Sequence, residues 1–174
     1  MKEKILIENG TIIDGTGSKE YVDSVLIENG IISAIGKDAE AFSSDATLKK
    51  INAAGQTVMP GLIDSHCHIT FDEPTSNDEL FFHRREGLAA IVAAHNARKV
   101  LLSGVTGFLD ADCIFDTGVD LRDAIESGYV EGPRMSSGGN ALLTSVGGTA
   151  GRLIPDDGLR GYAKVVHDKD DIVR

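Results

Sequence analysis

The sequence after residue 60 alternates between strand-like and helix-like stretches, and this alternation is what most limits how the chain can fold. Short apolar runs at 61–69, 105–109 and 133–137 predict three strands. Between them, 84–103 has apolar residues at helical spacing, and LRDAIES at 121–127 predicts a second helix. A strand–helix–strand–helix–strand succession is typical of a parallel sheet whose crossovers are helices. The sequence therefore predicts an α/β fold.

The two helices also have predicted ends and a predicted core face. Asp120 is of a residue type that caps helix N-termini, and Gly104 and Gly128 follow the helices where left-handed C-terminal caps belong. In the first helix, residues at i, i+3, i+4 spacing predict a buried face, on which His95 is expected to be a packed core residue rather than a ligand. The members of this face are Leu88, Ile91, Val92, His95 and Leu102.

The first 58 residues have a different, strand-rich pattern. LIENG occurs twice, each time within alternating apolar sequence. Asn-Gly pairs favour two-residue hairpin turns because both central residues take a positive φ. We therefore predict turns at Asn9-Gly10 and Asn29-Gly30. We expect 1–58 to form a separate, small antiparallel β-sandwich segment and 59–174 to form the α/β domain.

Charge and composition exclude several kinds of partner. Acidic residues number 27 against 17 basic ones, for a net charge of −10, which argues against nucleic acids and acidic membranes because both bind basic patches. No apolar run approaches the ~20 residues of a membrane-spanning helix, and the N-terminus lacks the apolar core of a signal peptide. The only cysteines, Cys67 and Cys113, are too few for a disulfide framework. We expect a cytoplasmic protein that binds neither nucleic acid nor membrane, with its oligomeric state left open.

Two histidines, His66 and His68, stand one residue apart within MPGLIDSHCHIT. Alternate residues of a strand share a face, so both imidazoles are expected on one face with Asp64, and Cys67 on the other. Such a pair can ligate one metal ion, at ~2.0–2.1 Å if the ion is zinc, and Asp64 can orient a ligand by a hydrogen bond. The pair therefore predicts a divalent-metal site, although the same spacing also occurs by chance on surface strands.

The sequence around this pair resembles the amidohydrolase superfamily. VMPGLIDSHCHI is similar to the family's Pro-Gly-Leu/Phe-Ile-Asp-x-His-x-His signature at the end of the first barrel strand. IENGIISAIG at 27–36 resembles the family's N-terminal β-sandwich segment. Downstream, AHNARKVLLSGVTGFLDAD resembles the family's stretch over helix 1 and strand 2. The phrase VDLRDAIESGYVEGPRMSSGGNALLTSVGG resembles a later family stretch that ends in Gly-Gly-His-Gly. The phrases are most similar to imidazolonepropionase-like and Xaa-Pro dipeptidase-like members, and they cover essentially the whole chain.

The resemblance implies a (β/α)8 TIM barrel, of which this chain contains about the first three strands. It also implies that His66 and His68 bind metal, that the complete protein holds one or two divalent ions, and that zinc is the expected metal. The implied reaction is hydrolysis of a carbon–nitrogen bond by a metal-activated water. The implied substrate is a small molecule or dipeptide-like compound with an amide or cyclic amide.

The resemblance also leaves family features unmatched. A lysine or glutamate on strand 4, histidines on strands 5 and 6 and an aspartate on strand 8 have no counterpart here, so no catalytic residue is assigned. Leu109-Asp110 stands where relatives have Arg-Asp, and GGTA at 147–150 where they have Gly-Gly-His-Gly. No role is carried onto these positions. Asp110 and Asp112 are expected to be surface or helix-capping residues.

The end of the sequence suggests a truncated chain. The glycine-rich stretch 138–158 has no periodicity and predicts a long loop. Asp168 followed by KDDIVR predicts the start of a further helix, and the 174 residues stop within it. A barrel of this kind takes ~250 residues. We therefore expect this chain alone to be inactive and to bind metal weakly.

Two other functions remain open from the sequence. One is a deaminase or cyclic-imide hydrolase built on the same barrel. The other is a non-catalytic binding or assembly module that keeps the scaffold without a complete metal site. Metal content would separate the enzymes from the scaffold module.

Overall fold

The computed structural model describes residues 4–76, 79–143 and 161–173, and contacts divide the chain into two compact units, Met1–Pro60 and Gly61–Arg174. Sheets and helices are both present, which confirms the predicted α/β class. Within the described ranges, no helix combines the length and apolar character that crossing a membrane requires.

The first unit is built on a five-stranded sheet. Its elements are β1 (Lys4–Ile12), β2 (Tyr21–Glu28), β3 (Ile31–Ile35), α1 (Lys37–Glu40), β4 (Lys49–Asn52) and β5 (Thr57–Val58). The strand order is β3-β2-β1-β4, and β5 pairs with β1 farther along the same strand. β2 is antiparallel to β1 and β3, whereas β4 and β5 are parallel to β1. The sheet is therefore mixed, and the prediction of a purely antiparallel arrangement is wrong.

One of the two predicted Asn-Gly turns is present. Asn29 and Gly30 have φ of 54° and 79° and connect β2 to β3. Asn9 and Gly10 instead lie inside β1, so the turn predicted there is wrong. Asn9 has a φ of 62°, and two residues of β1 face one residue of β2 at this point. This is a β-bulge, which uses the same left-handed conformation of Asn as a turn does.

Parallel pairing explains why β1 continues past the bulge. β4 pairs with β1 before Asn9, from Ile5 to Glu8, and β5 pairs with it afterwards, at Thr11 and Ile12. The Asn9 side-chain nitrogen donates to Asn52 Oδ1 at 3.1 Å and links β1 to β4. These long-range partners have no signature in the local sequence of β1.

The second unit contains the predicted strand–helix alternation, which is confirmed. Its elements are β6 (Leu62–Cys67), a π-helical turn (Glu79–His83), α2 (Glu86–Leu102), β7 (Val105–Asp110), α3 (Thr117–Glu126), β8 (Arg134–Ser137), β9 (Ala141–Leu143), β10 (Ala163–Val165) and α4 (Lys169–Val173). β6, β7 and β8 form a parallel sheet in that order. β9 and β10 form a separate parallel pair, so part of the stretch predicted as a loop is a strand.

The predicted core face of α2 is wrong. Leu88, Ile91 and Leu102 are 46%, 69% and 69% exposed, and His95 is exposed as well. The residues that α2 buries are small or polar: Ala89, Ala93, Asn96 and Ala97. Small side chains let the helix backbone approach the sheet, while hydrophobic periodicity gives most weight to the larger apolar residues. One buried cluster of this unit, which includes two of these alanines, consists of Ile69, Ala93, Ala97, Phe108 and Leu121.

The helix ends agree with the sequence signals in most cases. Gly104 and Gly128 have φ of 94° and 75° directly after α2 and α3, as predicted. Asp120 does not cap α3, because the helix begins three residues earlier, after Asp116. Asp168 Oδ1 accepts the backbone N–H groups of Asp170 and Asp171 at 2.8 and 3.2 Å, which confirms the predicted start of α4.

Candidate metal-binding site

The two histidines meet at the C-terminal end of β6. His66 is the penultimate residue of the strand and His68 follows its last residue. Their rings contact edge to face, with centroids 5.0 Å apart and an interplanar angle of 79°. Cys67 between them packs against the buried cluster around Ile69 and Ala93. The predicted arrangement, with both imidazoles together and Cys67 directed elsewhere, is confirmed.

Strict alternation along β6 is interrupted just before the pair. From Asp64 to Cys67 the strand advances three residues while β7 advances two, from Phe108 to Asp110. Asp64 Oδ1 accepts the backbone N–H of His66 at 3.0 Å. The carboxylate of Asp64 is thus bound to the backbone of its own strand, rather than to an imidazole as the alternation predicted.

A different carboxylate, that of Asp112, contacts the histidine pair. Asp112 Oδ1 lies 2.9 Å from His68 Nδ1. The other oxygen, Oδ2, accepts a hydrogen bond from the Tyr162 hydroxyl at 3.2 Å. Burial and the nearby Asp112 charge raise the pKa of Tyr162 to about 12, so the hydroxyl keeps its proton and donates. The expectation that Asp112 is a surface or capping residue is therefore wrong.

The His68 ring is also held by an aromatic neighbour. It stacks on Phe71, with centroids 4.9 Å apart and an interplanar angle of 9°. Phe71 in turn lies beside Tyr162, at 6.0 Å between ring centroids and 44° between planes. His68 is therefore fixed on one side by a carboxylate and on a ring face by Phe71.

Asp110, at the end of β7, joins the ends of the three parallel strands. It is fully buried. Its Oδ1 accepts the backbone N–H of Ile69 at 3.0 Å, and its Oδ2 accepts the Ser137 hydroxyl at 3.1 Å. Burial raises the pKa of this carboxyl. The expectation of a surface position is wrong for Asp110, which anchors the backbone directly after His68.

Sequence reasoning missed the roles of these acidic and aromatic residues for different reasons. The sequence did carry a signal for Asp110 and Asp112, since Asp110 ends β7, the strand next to β6, and Asp112 lies two residues later. Tyr162 carried none, because it is 50 positions away from Asp112 along the chain. The GGTA stretch at 147–150, which departs from the family pattern, lies outside the described residues.

The side chains at the end of β6 could supply some of the ligands of a metal site. Two imidazoles in contact offer nitrogen donors of the kind that zinc binds. Asp112 occupies Nδ1 of His68, so Nε2 is the nitrogen of that ring available to an ion. Burial raises the pKa of the Cys67 thiol to about 11, which disfavours a thiolate ligand. Over the part of the chain that the structure describes, no group of three or more His, Cys, Asp or Glu is placed to hold an ion.

Comparisons with known proteins give partial matches. No family model matches the chain. A dihydroorotase of Acetivibrio thermocellus is 40% identical over 65 residues, which are 37% of this chain and 14% of that protein. A dihydropyrimidinase of Rattus norvegicus is 29% identical over 127 residues, covering 72% of this chain and 22% of that protein.

A solved structure has the same fold over most of the chain. It is a Xaa-Pro dipeptidase with methionine bound in its active site, 31% identical with a TM-score of 0.67, and the match covers 81% of this chain and 34% of the dipeptidase. The chain thus spans about a third or less of each of these three proteins. Sequence relatives and fold agree with the resemblance carried by the motif at His66 and His68. The predicted resemblance to the amidohydrolase superfamily is therefore confirmed by sequence relatives and by fold.

Proposed function

We propose that this chain is the first part of a metal-dependent hydrolase that cleaves a carbon–nitrogen bond in a small-molecule substrate. The observation that carries the proposal is the contact between His66 and His68 at the C-terminal end of a parallel strand. In barrel enzymes the chemistry gathers at this end of the strands. The dihydroorotase, dihydropyrimidinase and Xaa-Pro dipeptidase relatives support an amide, cyclic amide or dipeptide-like substrate.

We assign β6, β7 and β8, with α2 and α3, to the first three strands and two helices of a (β/α)8 barrel. Helices cover one face of this sheet through the core around Ala93 and Phe108. On the strands, Leu62, Ile63 and Leu109 are 52%, 67% and 42% exposed. Exposed apolar side chains on strands suit a sheet that further strands would enclose. Those strands would come from sequence outside these 174 residues, and residues 1–58 would be the N-terminal segment of a small β-sandwich domain.

Within this barrel, His66 and His68 would supply two ligands to a site for one or two divalent ions, with zinc as the expected metal. When bound, such an ion would polarise the substrate carbonyl and activate a water molecule. The chain's own contribution is orientation, because Phe71 and Asp112 fix the His68 ring and Asp110 fixes the backbone that follows it. Further ligands and the general base would lie outside these residues.

The decisive experiment compares two proteins. One is the 174-residue chain, and the other is the product of the complete open reading frame that encodes it. Metal content is measured by mass spectrometry, and hydrolysis is assayed on dipeptides, dihydroorotate and dihydrouracil, with ammonia release followed in parallel. His66→Ala and His68→Ala are compared with His167→Ala, which changes an exposed histidine elsewhere in the chain.

The expected results differ between the two proteins. The complete protein should bind divalent metal and hydrolyse at least one substrate class, and either histidine substitution should abolish both properties while His167→Ala retains them. The 174-residue chain should bind metal weakly and show no turnover, because two imidazoles are fewer than the three protein ligands of a catalytic zinc site. Ammonia release without ring or peptide hydrolysis would favour the deaminase alternative. A complete protein without metal or turnover would favour a scaffold module.

A further inference from the structure

We infer that Asp112 is the positioning residue that holds His68 as its Nδ1–H tautomer. The unprotonated Nε2 is then free to bind a metal ion. The contact that assigns this role is the 2.9 Å separation between His68 Nδ1 and Asp112 Oδ1. An ionised carboxylate is an acceptor only, so the shared proton resides on Nδ1 in the neutral ring. The assignment of the tautomer needs no metal, and only its consequence for metal binding rests on the proposed function.

Asp112 is itself held in place from its other side. The Tyr162 hydroxyl donates to Oδ2 at 3.2 Å, and Tyr162 is only 8% exposed. The Asp112 side chain is 17% exposed, against 30% for that of His68. Tyr162, Asp112 and His68 thus form a chain of hydrogen bonds that runs from the interior of the unit to its surface. Such a chain fixes both the tautomer and the orientation of the terminal imidazole.

The two histidines are therefore unequal. His66 is exposed, and its ring contacts His68, but across the described ranges its ring nitrogens have no hydrogen-bond partner. His68 has a carboxylate on Nδ1 and Phe71 against its ring face. We expect His68 to be preorganised as a ligand and His66 to adopt its final orientation only when an ion binds.

The tautomer can be measured without metal. Long-range ¹H–¹⁵N spectra of the metal-free 174-residue chain, recorded at a pH where they show His68 to be neutral, distinguish protonated from unprotonated ring nitrogens. Wild-type His68 should show Nδ1–H. Asp112→Ala should shift His68 to the Nε2–H form that free histidine prefers in water. Asp112→Asn should also give Nε2–H, because its amide oxygen accepts from the Tyr162 hydroxyl and its NH2 group then faces Nδ1 and donates to it. Asp116→Ala, at an exposed aspartate before α3, is the matched control and should leave His68 unchanged.

Several spectra would overturn the assignment. An Nε2–H tautomer for His68 in the wild-type chain refutes it directly, and so does an Asp112→Ala spectrum in which Nδ1–H persists. Should Asp112→Ala fail to fold, the wild-type and Asp112→Asn spectra still decide, since the wild-type chain must show Nδ1–H and Asp112→Asn must show Nε2–H. Tyr162→Phe keeps the ring beside Phe71 and removes the hydroxyl, so His68 should show a mixture of the two tautomers. A purely Nδ1–H spectrum of this variant would show that Tyr162 does not help to fix the tautomer.

Metal affinity tests the consequence. In the protein from the complete reading frame, Asp112→Ala and Asp112→Asn should each weaken Zn²⁺ binding roughly 10–100-fold, and Asp116→Ala should not change it. Unchanged zinc affinity in Asp112→Ala would refute a positioning role toward the metal. Failure of the wild-type protein to bind zinc would refute the proposed function and this consequence together, while the tautomer assignment would still be decided by the metal-free spectra.

Discussion

Gly118, the second residue of α3, lies so close to the carboxylate of Asp110 that a Cβ at this position would overlap Asp110 Oδ2 and Ser137 Oγ. The start of α3 therefore packs directly onto the buried carboxylate that bridges β6 and β8. The backbone N–H of Gly118 also donates to Cys113 Sγ at 3.3 Å. The absence of a side chain at residue 118 is what allows the helix and the carboxylate to be this close.

Replacing Gly118 should consequently destabilise the chain. We expect Gly118→Ala to lower the free energy of unfolding by about 1–3 kcal/mol, the usual cost of inserting a methyl group into a packed site. Gly87→Ala is the matched control, because Gly87 is also the second residue of a helix and nothing lies within 4 Å of a Cβ there. This control should be neutral or stabilising by up to about 1 kcal/mol. Urea denaturation of both variants provides the comparison, and equal effects would contradict the packing argument.

A second glycine that is in close contact with a neighbouring side chain lies in the first unit. A Cβ on Gly10 would overlap Val58 Cγ2, where β5 pairs with β1 beside the bulge. We expect Gly10→Ala to lower the free energy of unfolding by about 1–3 kcal/mol. Val58→Ala should relieve the overlap, so the double variant should be less destabilised than the two single effects added together. Strictly additive effects in urea denaturation would show that Val58 is not the residue that requires glycine here.

Both cysteine thiols should react slowly in the folded chain. Cys113 is fully buried, and burial raises the pKa of its thiol. The pKa of Cys67 is raised from 9.0 to about 11, so its thiolate fraction near pH 8 is ~100-fold below that of an unperturbed thiol. Because only the thiolate reacts, the labelling rate of Cys67 should rise about tenfold per pH unit until the pH approaches this raised pKa.

Iodoacetamide labelling followed by intact mass measures these rates. Cys67→Ser and Cys113→Ser each leave one thiol to be observed alone. Labelling of the folded chain at the rate of the urea-unfolded chain would contradict the burial of the thiol concerned.

Local signals predicted the α/β unit well because each acts over a few residues. The alternation of apolar strands with helices, the two glycines after α2 and α3, and the aspartate before α4 all depend on neighbours in sequence. All of these features are present. The contact between His66 and His68 followed from the same kind of argument, even though a register shift interrupts β6 just before it.

The features that sequence reasoning missed depend on distant partners. Asn9 uses its left-handed conformation for a bulge rather than a turn because β4 and β5 pair along both sides of it. The alanines of α2 are buried because Asn96 donates to the backbone carbonyls of Ile69 and Phe71 and brings the helix close to the sheet. The carboxylate of Asp112 reaches His68 across 44 positions. None of these partners is visible within a window of one helix or strand.

The unequal surroundings of the two histidines give a last prediction, which concerns stability rather than metal. His66 is exposed and contacts His68 by ring edge alone, so His66→Ala should change the free energy of unfolding by no more than about 0.5 kcal/mol, as is usual at surface positions. His68→Ala removes the stack on Phe71 and the hydrogen bond to Asp112, which together should cost about 1–2 kcal/mol.

A double-mutant cycle of His68→Ala with Asp112→Ala in urea denaturation should show a coupling of about 0.5–1.5 kcal/mol. Additive effects, or equal losses for His66→Ala and His68→Ala, would show that the contact with Asp112 does not hold the ring in solution.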